Sequence, residues 1–159
     1  MKKLPELPFD TIALGMSGGG YRATSFHLGA MCYLDHVHYM GRPLLENVKT
    51  ISTVSGGTIT GVVYAICKAD QQSFEDFYLK LVGQLRKRDL VKEGIDKLKI
   101  DAGWESSTKR RNLINAMSEL YDQHFTNGAM FEKFLDKDNK SHLDLVVFNA
   151  TEFDTGKNF

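Results

Sequence analysis

Two kinds of hydrophobic run alternate along the chain. Thr11-Ile-Ala-Leu-Gly-Met16 is short and almost wholly apolar, which predicts a strand buried on both faces of a parallel sheet. It runs into Ser17-Gly18-Gly19-Gly20. Ala23, Phe26, His27, Ala30, Met31, Leu34 and Val37 then recur in three- and four-residue steps, the spacing of a long helix with Phe26 and His27 on its packed side. Gly41-Arg42-Pro43 ends it. Val48, Ile51 and Val54 mark a second strand over Val48–Val54. Helical spacing resumes after Ser55-Gly56-Gly57 at Ile59, Val62, Val63 and Ile66, as far as Ala69. Strand, helix, strand, helix is the order of an α/β fold with a parallel sheet and right-handed crossovers.

The middle of the chain has a different texture. Ser73 opens a helix with Phe74, Phe77, Tyr78, Leu81, Val82 and Leu85 on one face. Lys87–Trp104 is mixed and charged. A further helix is expected from Ser106 to Phe125 and a short one over Ala129–Leu135. No confident strand is expected between residues 70 and 138, so this stretch is read as a helical insertion or cap over the sheet. Lys137–Lys140 is a polar turn, Leu143–Phe148 a third strand, and the sequence up to Phe159 leads toward a further one. Residues 1–8, with Pro5 and Pro8, form an extended lead-in.

At 159 residues the chain is one domain at most. With 20 basic and 20 acidic residues its formal net charge is +0, so nothing global points to nucleic acid or to an anionic membrane. Arg86-Lys87-Arg88 and Lys109-Arg110-Arg111 read as solvated helix faces. Cys32 and Cys67 lie in apolar helical patterns and form no metal or redox motif, which predicts free thiols in a reducing compartment. No signal peptide and no apolar run long enough to span a bilayer is visible, and a cytoplasmic location is the default expectation.

The chemistry concentrates at two glycine-rich turns. Thr53-Val54-Ser55-Gly56-Gly57 places a serine between a strand and a helix, as in a nucleophile elbow of the G-x-S-x-G kind, with threonine for the first glycine. The same residues also describe an ordinary turn with Ser55 as a helix N-cap. Gly18-Gly19-Gly20-Tyr21-Arg22-Ala23 matches a dinucleotide fingerprint, G-x-G-x-x-A, but the second strand ends without the carboxylate that a ribose requires. Read together, both turns fall at the carboxyl edge of the sheet. A serine there, beside free backbone N–H groups at a helix start, is what acyl transfer needs.

Ser17-Gly-Gly-Gly-Tyr-Arg-Ala23, followed by Ser55 in Thr-Val-Ser-Gly-Gly-Thr, resembles the patatin-like and cytosolic phospholipase A superfamily. The Ser-Gly-Gly-Gly-aromatic-Arg-Ala form is similar to the cytosolic phospholipase branch, and Asn149-Ala-Thr151 with Thr155-Gly-Lys157 resembles a stretch after a central strand in these proteins. The resemblance implies a three-layer α/β/α sandwich with a mainly parallel sheet. It implies lipid acyl ester hydrolysis by a Ser–Asp dyad, without cofactor or metal. It makes Ser55 the nucleophile, Gly18, Gly19 and Gly20 with the Gly56 N–H the oxyanion hole, and Arg22 a ligand of the lipid phosphate. An ion pair at the helix start is the alternative role for Arg22.

One departure from the family pattern matters. The dyad aspartate belongs to an Asp-Gly motif downstream of the serine, and this chain contains no Asp-Gly pair. Asp101 precedes the third strand, Asp144 lies inside it and Asp154 falls in a different segment. Residues 1–159 are therefore expected to be the N-terminal portion of one patatin-like domain, incomplete at its C-terminus and nearly inactive without the missing aspartate. The expected partner is a phospholipid or other acyl ester, with transient contact at a membrane surface and no nucleic acid. A non-catalytic lipid-binding or scaffold domain of the same fold is the alternative, and a dinucleotide-binding domain a further one. Among His27, His36, His38, His124 and His142, only His142 invites a Ser–His–Asp triad, and its place at a strand start argues against one. Trp104 fits either a cap near the lipid entrance or plain packing.

Overall fold

A computed structural model of the chain describes residues 7–104, 108–135, 141–151 and 155–157. Most of the expected lead-in, the polar turn at 137–140, Ser106 and Asp154 lie outside those residues. The elements run β1 (Ile12–Met16), α1 (Gly20–His36), β2 (His38–Tyr39), β3 (Arg42–Pro43), β4 (Val48–Val54), α2 (Gly56–Ala69), α3 (Phe74–Lys87), α4 (Leu90–Lys97), α5 (Leu113–Tyr121), α6 (Glu132–Leu135) and β5 (Leu145–Asn149). A π-helical turn, Asp122–Thr126, extends α5.

The sheet has the order β1-β4-β5 with both pairs parallel. Met16 is in register with Thr53, and Val54 with Asn149, so the three strands end together. The fold is a parallel three-stranded sheet flanked by helices, as expected of the α/β/α class. Central to it is α2, where the consecutive residues Val63, Tyr64, Ala65, Ile66 and Cys67 are all buried. A helix apolar all round must be covered on every side. Here strands β4 and β5 lie against it, α1 and α3 flank it, and Phe77 and Leu81 of α3 complete the core with Met16, Met31, Val48 and Ile51. The Tyr64 and Phe77 rings meet edge to face at 5.1 Å.

Local signals start the outer helices. Ser73 and Asp76 form a reciprocal capping box at α3. The Asp89 side chain accepts from the Lys92 N–H at α4, and that of Asn112 from the Asn115 N–H at α5.

Several expectations need correction. β1 is covered on one face only: Ala13 and Gly15 are exposed, Ile12 and Leu14 half-buried and Met16 buried. Phe26 is 73% exposed, and the buried stripe of α1 runs instead through Thr24, His27, Leu28 and Met31. Gly41-Arg42-Pro43 does more than stop a helix. Met40 (φ 52) and Gly41 (φ 85) turn a small antiparallel hairpin between β2 and β3, because paired positive φ values match the strand twist. The helix expected from Ser106 begins at Leu113, where Asn112 supplies the cap. The third strand begins at Leu145 rather than Leu143. Both cysteines are free thiols. No helix among the described residues is long and apolar enough to cross a membrane.

At the amino edge of the sheet, Tyr64 OH lies 3.2 Å from Nε2 of His142, within hydrogen-bonding distance. Burial, and then the nearby Lys49 and Lys68, lower the His142 pKa from 6.5 to about 4. The folded chain thus holds this ring neutral while the unfolded chain protonates it, so the unfolded state binds more protons between those values. Stability is expected to be complete above pH 6.5 and to fall as the pH drops toward 4. Urea midpoints measured across that range should show the fall, and His142→Gln should flatten it.

Candidate active site

The carboxyl edge of the sheet collects the residues singled out by the sequence. Ser55 joins β4 to α2 with φ 52 and ψ −117. Few non-glycine residues adopt such a backbone, and holding one there costs about 1–3 kcal/mol. Ser55 occupies the N-cap position of α2, yet its side chain makes no cap hydrogen bond. The hydroxyl is therefore not spent on the helix, which argues against the plain N-cap role.

Backbones approach very closely around it. A Cβ on Gly56 would collide with the Gly20 carbonyl oxygen and lie 2.8 Å from the Gly20 nitrogen. One on Gly57 would collide with the Met16 carbonyl and lie 2.8 Å from the Met16 Cβ. One on Gly18 would lie 3.2 Å from Ser55 Cβ and 3.7 Å from Ser55 Oγ. Gly19 (φ 140) caps α1 and Gly20 (φ 58) opens it, so the start of α1 and the start of α2 are pressed together beside the serine. The first N–H groups of a helix have no intrahelical acceptor and carry the positive end of its dipole. Gly18, Gly19, Gly20, Gly56 and Ser55 are thus brought together.

Two buried threonines lock this junction. Thr24 Oγ1 lies within hydrogen-bonding distance of the Gly20 carbonyl (3.1 Å) and the Gly56 carbonyl (2.9 Å), and Thr60 Oγ1 donates to the Thr24 carbonyl at 3.0 Å. Gly61 makes room for the Thr53 methyl, which a Cβ would meet at 2.5 Å. Thr53 stands where an elbow more often has glycine. Its hydroxyl is 3.1 Å from Thr58 Oγ1 and donates to the Val147 carbonyl at 3.1 Å. Asn149 Nδ2 reaches Ser52 Oγ (3.0 Å) and the Thr53 carbonyl (3.1 Å), tying β5 to the turn. None of Thr24, Thr60 and Asn149 was assigned such a role from the sequence. A threonine three or four residues into each helix after a glycine turn was the available signal.

Ser55 opens onto a cavity of about 570 Å³. Its floor is Ile59, Val62 and Ile66 of α2, and its roof is Phe125, Met130 and Phe131 from the helical segment. No carboxylate and no histidine is among its described lining residues. His142 lies at the other edge of the sheet, where its carbonyl accepts from Lys49 Nζ. The 7 residues of β4, at about 3.3 Å each, separate it from Ser55 by roughly 20 Å. Asp144 belongs to that far edge as well, its N–H donating to the Lys49 carbonyl. His27 Nε2 is 3.0 Å from the Ser17 carbonyl, and His124 is held by Glu93 at 3.0 Å. Trp104 Nε1 donates to the Lys109 carbonyl, and Trp104 is not among the residues lining the cavity. Arg22 is exposed in the first turn of α1 and pairs with no carboxylate among the described residues.

A family model described as patatin-like phospholipase matches residues 14–157. No curated protein and no solved structure matches the chain.

The strain at Ser55 is separable from its chemistry. Glycine accepts φ 52 freely whereas alanine does not. Ser55→Gly is expected to be more stable than Ser55→Ala by about 1 kcal/mol in urea denaturation, with the hydroxyl lost in both. Equal stability of the two variants would show that the turn relaxes out of this conformation.

Proposed function

The chain belongs to the patatin-like phospholipase family, and from that premise we propose that Ser55 is the nucleophile of a lipid acyl hydrolase. Membership carries lipid acyl hydrolysis as the general activity. The residue roles are our reading. One observation supports it above the others: an uncommitted serine hydroxyl on a strained turn opens onto a large apolar cavity, beside two helix starts.

In this reading the acyl chain lies in the cavity and the ester carbonyl carbon stands over Ser55 Oγ. The hydroxyl attacks and gives up its proton to a base. The carbonyl oxygen takes the negative charge and is met by N–H groups at Gly18–Gly20 and Gly56. The tetrahedral species collapses, the alcohol leaves with a proton, and the acyl group remains on Ser55 until water attacks it in the same way. The base is an aspartate, forming a Ser–Asp dyad, and none of the described residues lining the cavity supplies it. General base help is worth about 10²–10⁴-fold, so residues 1–159 alone are proposed to turn over esters slowly. Arg22, exposed at the start of α1, is proposed to hold the lipid phosphate.

The absence of a carboxylate or histidine among the described lining residues favours a second reading, a lipid-binding domain without catalysis. A fluorophosphonate separates the two. In the full-length protein we expect one adduct by intact mass. Ser55→Ala should abolish the adduct and lower ester turnover by at least about 10³-fold. No adduct on the folded full-length protein would reject the nucleophile and leave the binding reading.

Arg22→Ala is expected to lower kcat/KM by about 10-fold or more on a phospholipid, the value of one charge-assisted contact. Turnover of an uncharged ester should be spared. Equal losses on both substrates would mean that Arg22 holds the turn rather than the phosphate.

A further inference from the structure

A second cavity, of about 500 Å³, adjoins the one on Ser55. It runs along β5 and is lined mainly by apolar residues, among them Ala65, Leu135, Leu143 and Val146. The two cavities share three lining residues, Phe131, Phe134 and Phe148. Phe148 projects from β5, where the ladder fixes it opposite Thr53. Phe131 and Phe134 come from the segment around α6, tied down by the 2.5 Å ion pair between Lys133 and Asp70. Each ring packs on Phe148 at 6.0 Å between centroids, tilted by 49° and 50°. Three aromatic rings therefore stand as a partition between two apolar chambers, and only one chamber contains Ser55.

We propose that the two cavities are successive chambers of one acyl-binding site, and that the Phe131–Phe134–Phe148 partition sets the length of fatty acyl chain the protein accepts. The inference rests on reading the Ser55 cavity as an acyl site. A short chain fills the first chamber and stops at the rings. A longer chain must displace them to enter the second. A tilted aromatic pair is worth about two- to tenfold in equilibrium terms, and each methylene moved from water into an apolar site is worth about fourfold. The partition contains two such pairs, so about one to four additional methylenes are enough to open it, and the rings grade chain length rather than block it. Phe131 is the member best placed to move, because it is 71% exposed. Ser141 and Asp144 are polar members of the far chamber's otherwise mainly apolar lining.

The test is binding, so it does not depend on catalysis. Displacement of a fluorescent fatty acid by saturated fatty acids from octanoate to stearate should give the full-length protein an affinity that rises about fourfold per methylene and then rises less steeply at one chain length. Phe131→Ala and Phe134→Ala should move that break to longer chains. Phe134→Trp, which thickens the partition and keeps the fold packed, should move it to shorter ones. A break at the same length in all four proteins would overturn the proposal. Loss of Ser55 labelling with the shifts intact would reject the nucleophile and leave the partition standing. Failure of the folded protein to bind any chain length would overturn both.

Discussion

Everything at the carboxyl edge depends on how closely two backbones meet there. Gly56 lies against Gly20 and Gly57 against Met16, with no space for a Cβ at either contact. That approach brings the starts of α1 and α2 to one point, so two sets of unsatisfied N–H groups face the same small volume. It also exposes the peptide carbonyls of Gly20 and Gly56 to burial, and Thr24 lies within reach of both. Both carbonyls already accept within their own helices, so the Thr24 hydroxyl adds a bond across the contact, a net contribution of about 0.5–1.5 kcal/mol. The glycines permit the junction, and Thr24 and Thr60 tie its two helices together.

Ser55 inherits its position from this junction. The chain leaves β4 in register with β1 and β5 and must enter a helix pressed against Met16 and Gly20. A residue with φ 52 makes that turn. The strain of about 1–3 kcal/mol is offset by burial of α2, where Val63, Tyr64 and Cys67 are at most 1% exposed. Each fully buried side chain of this size contributes about 1.5–3 kcal/mol, so the helix outweighs the strain of its first turn. The fold's most buried helix and a strained residue are adjacent for that reason.

How much of this was legible in the sequence depended on range. Both glycine turns, the Val48–Val54 strand and the start of α3 at Ser73 follow from local patterns, and the structure has them. Phe26 was misread because helical spacing cannot say which of two apolar stripes finds a partner. The buried stripe contains Thr24 and His27, whose polar atoms are satisfied by the Gly56 and Ser17 carbonyls across the junction. The reach of the sheet's cover was misread as well. An apolar run such as Ile12–Met16 looks the same whether one or two faces are packed. The cavity was not legible at all. Its walls come from α2, from the segment between Tyr121 and Phe134 and from β5, and only tertiary contact joins them.

The two edges of the sheet divide the polar chemistry between them. Around Tyr64 and His142, at the amino edge, burial raises the pKa values of Tyr64 and Asp35 and lowers those of Lys68 and His142. Every shift there favours the neutral form, which marks a region where charge is suppressed for the sake of packing. The carboxyl edge holds its electrostatics in backbone dipoles, which do not titrate. Acid acts on the fold through His142 at the amino edge, and also through Asp122, whose carboxyl is held below its usual value by hydrogen bonds from Thr126 and Gly128. A protein arranged this way can lose stability with falling pH while the backbone N–H groups at the two helix starts remain in place as long as the fold does. On the proposed reading of Ser55 as the nucleophile, a pH dependence of turnover above the unfolding range does not come from His142, which lies at the far end of β4.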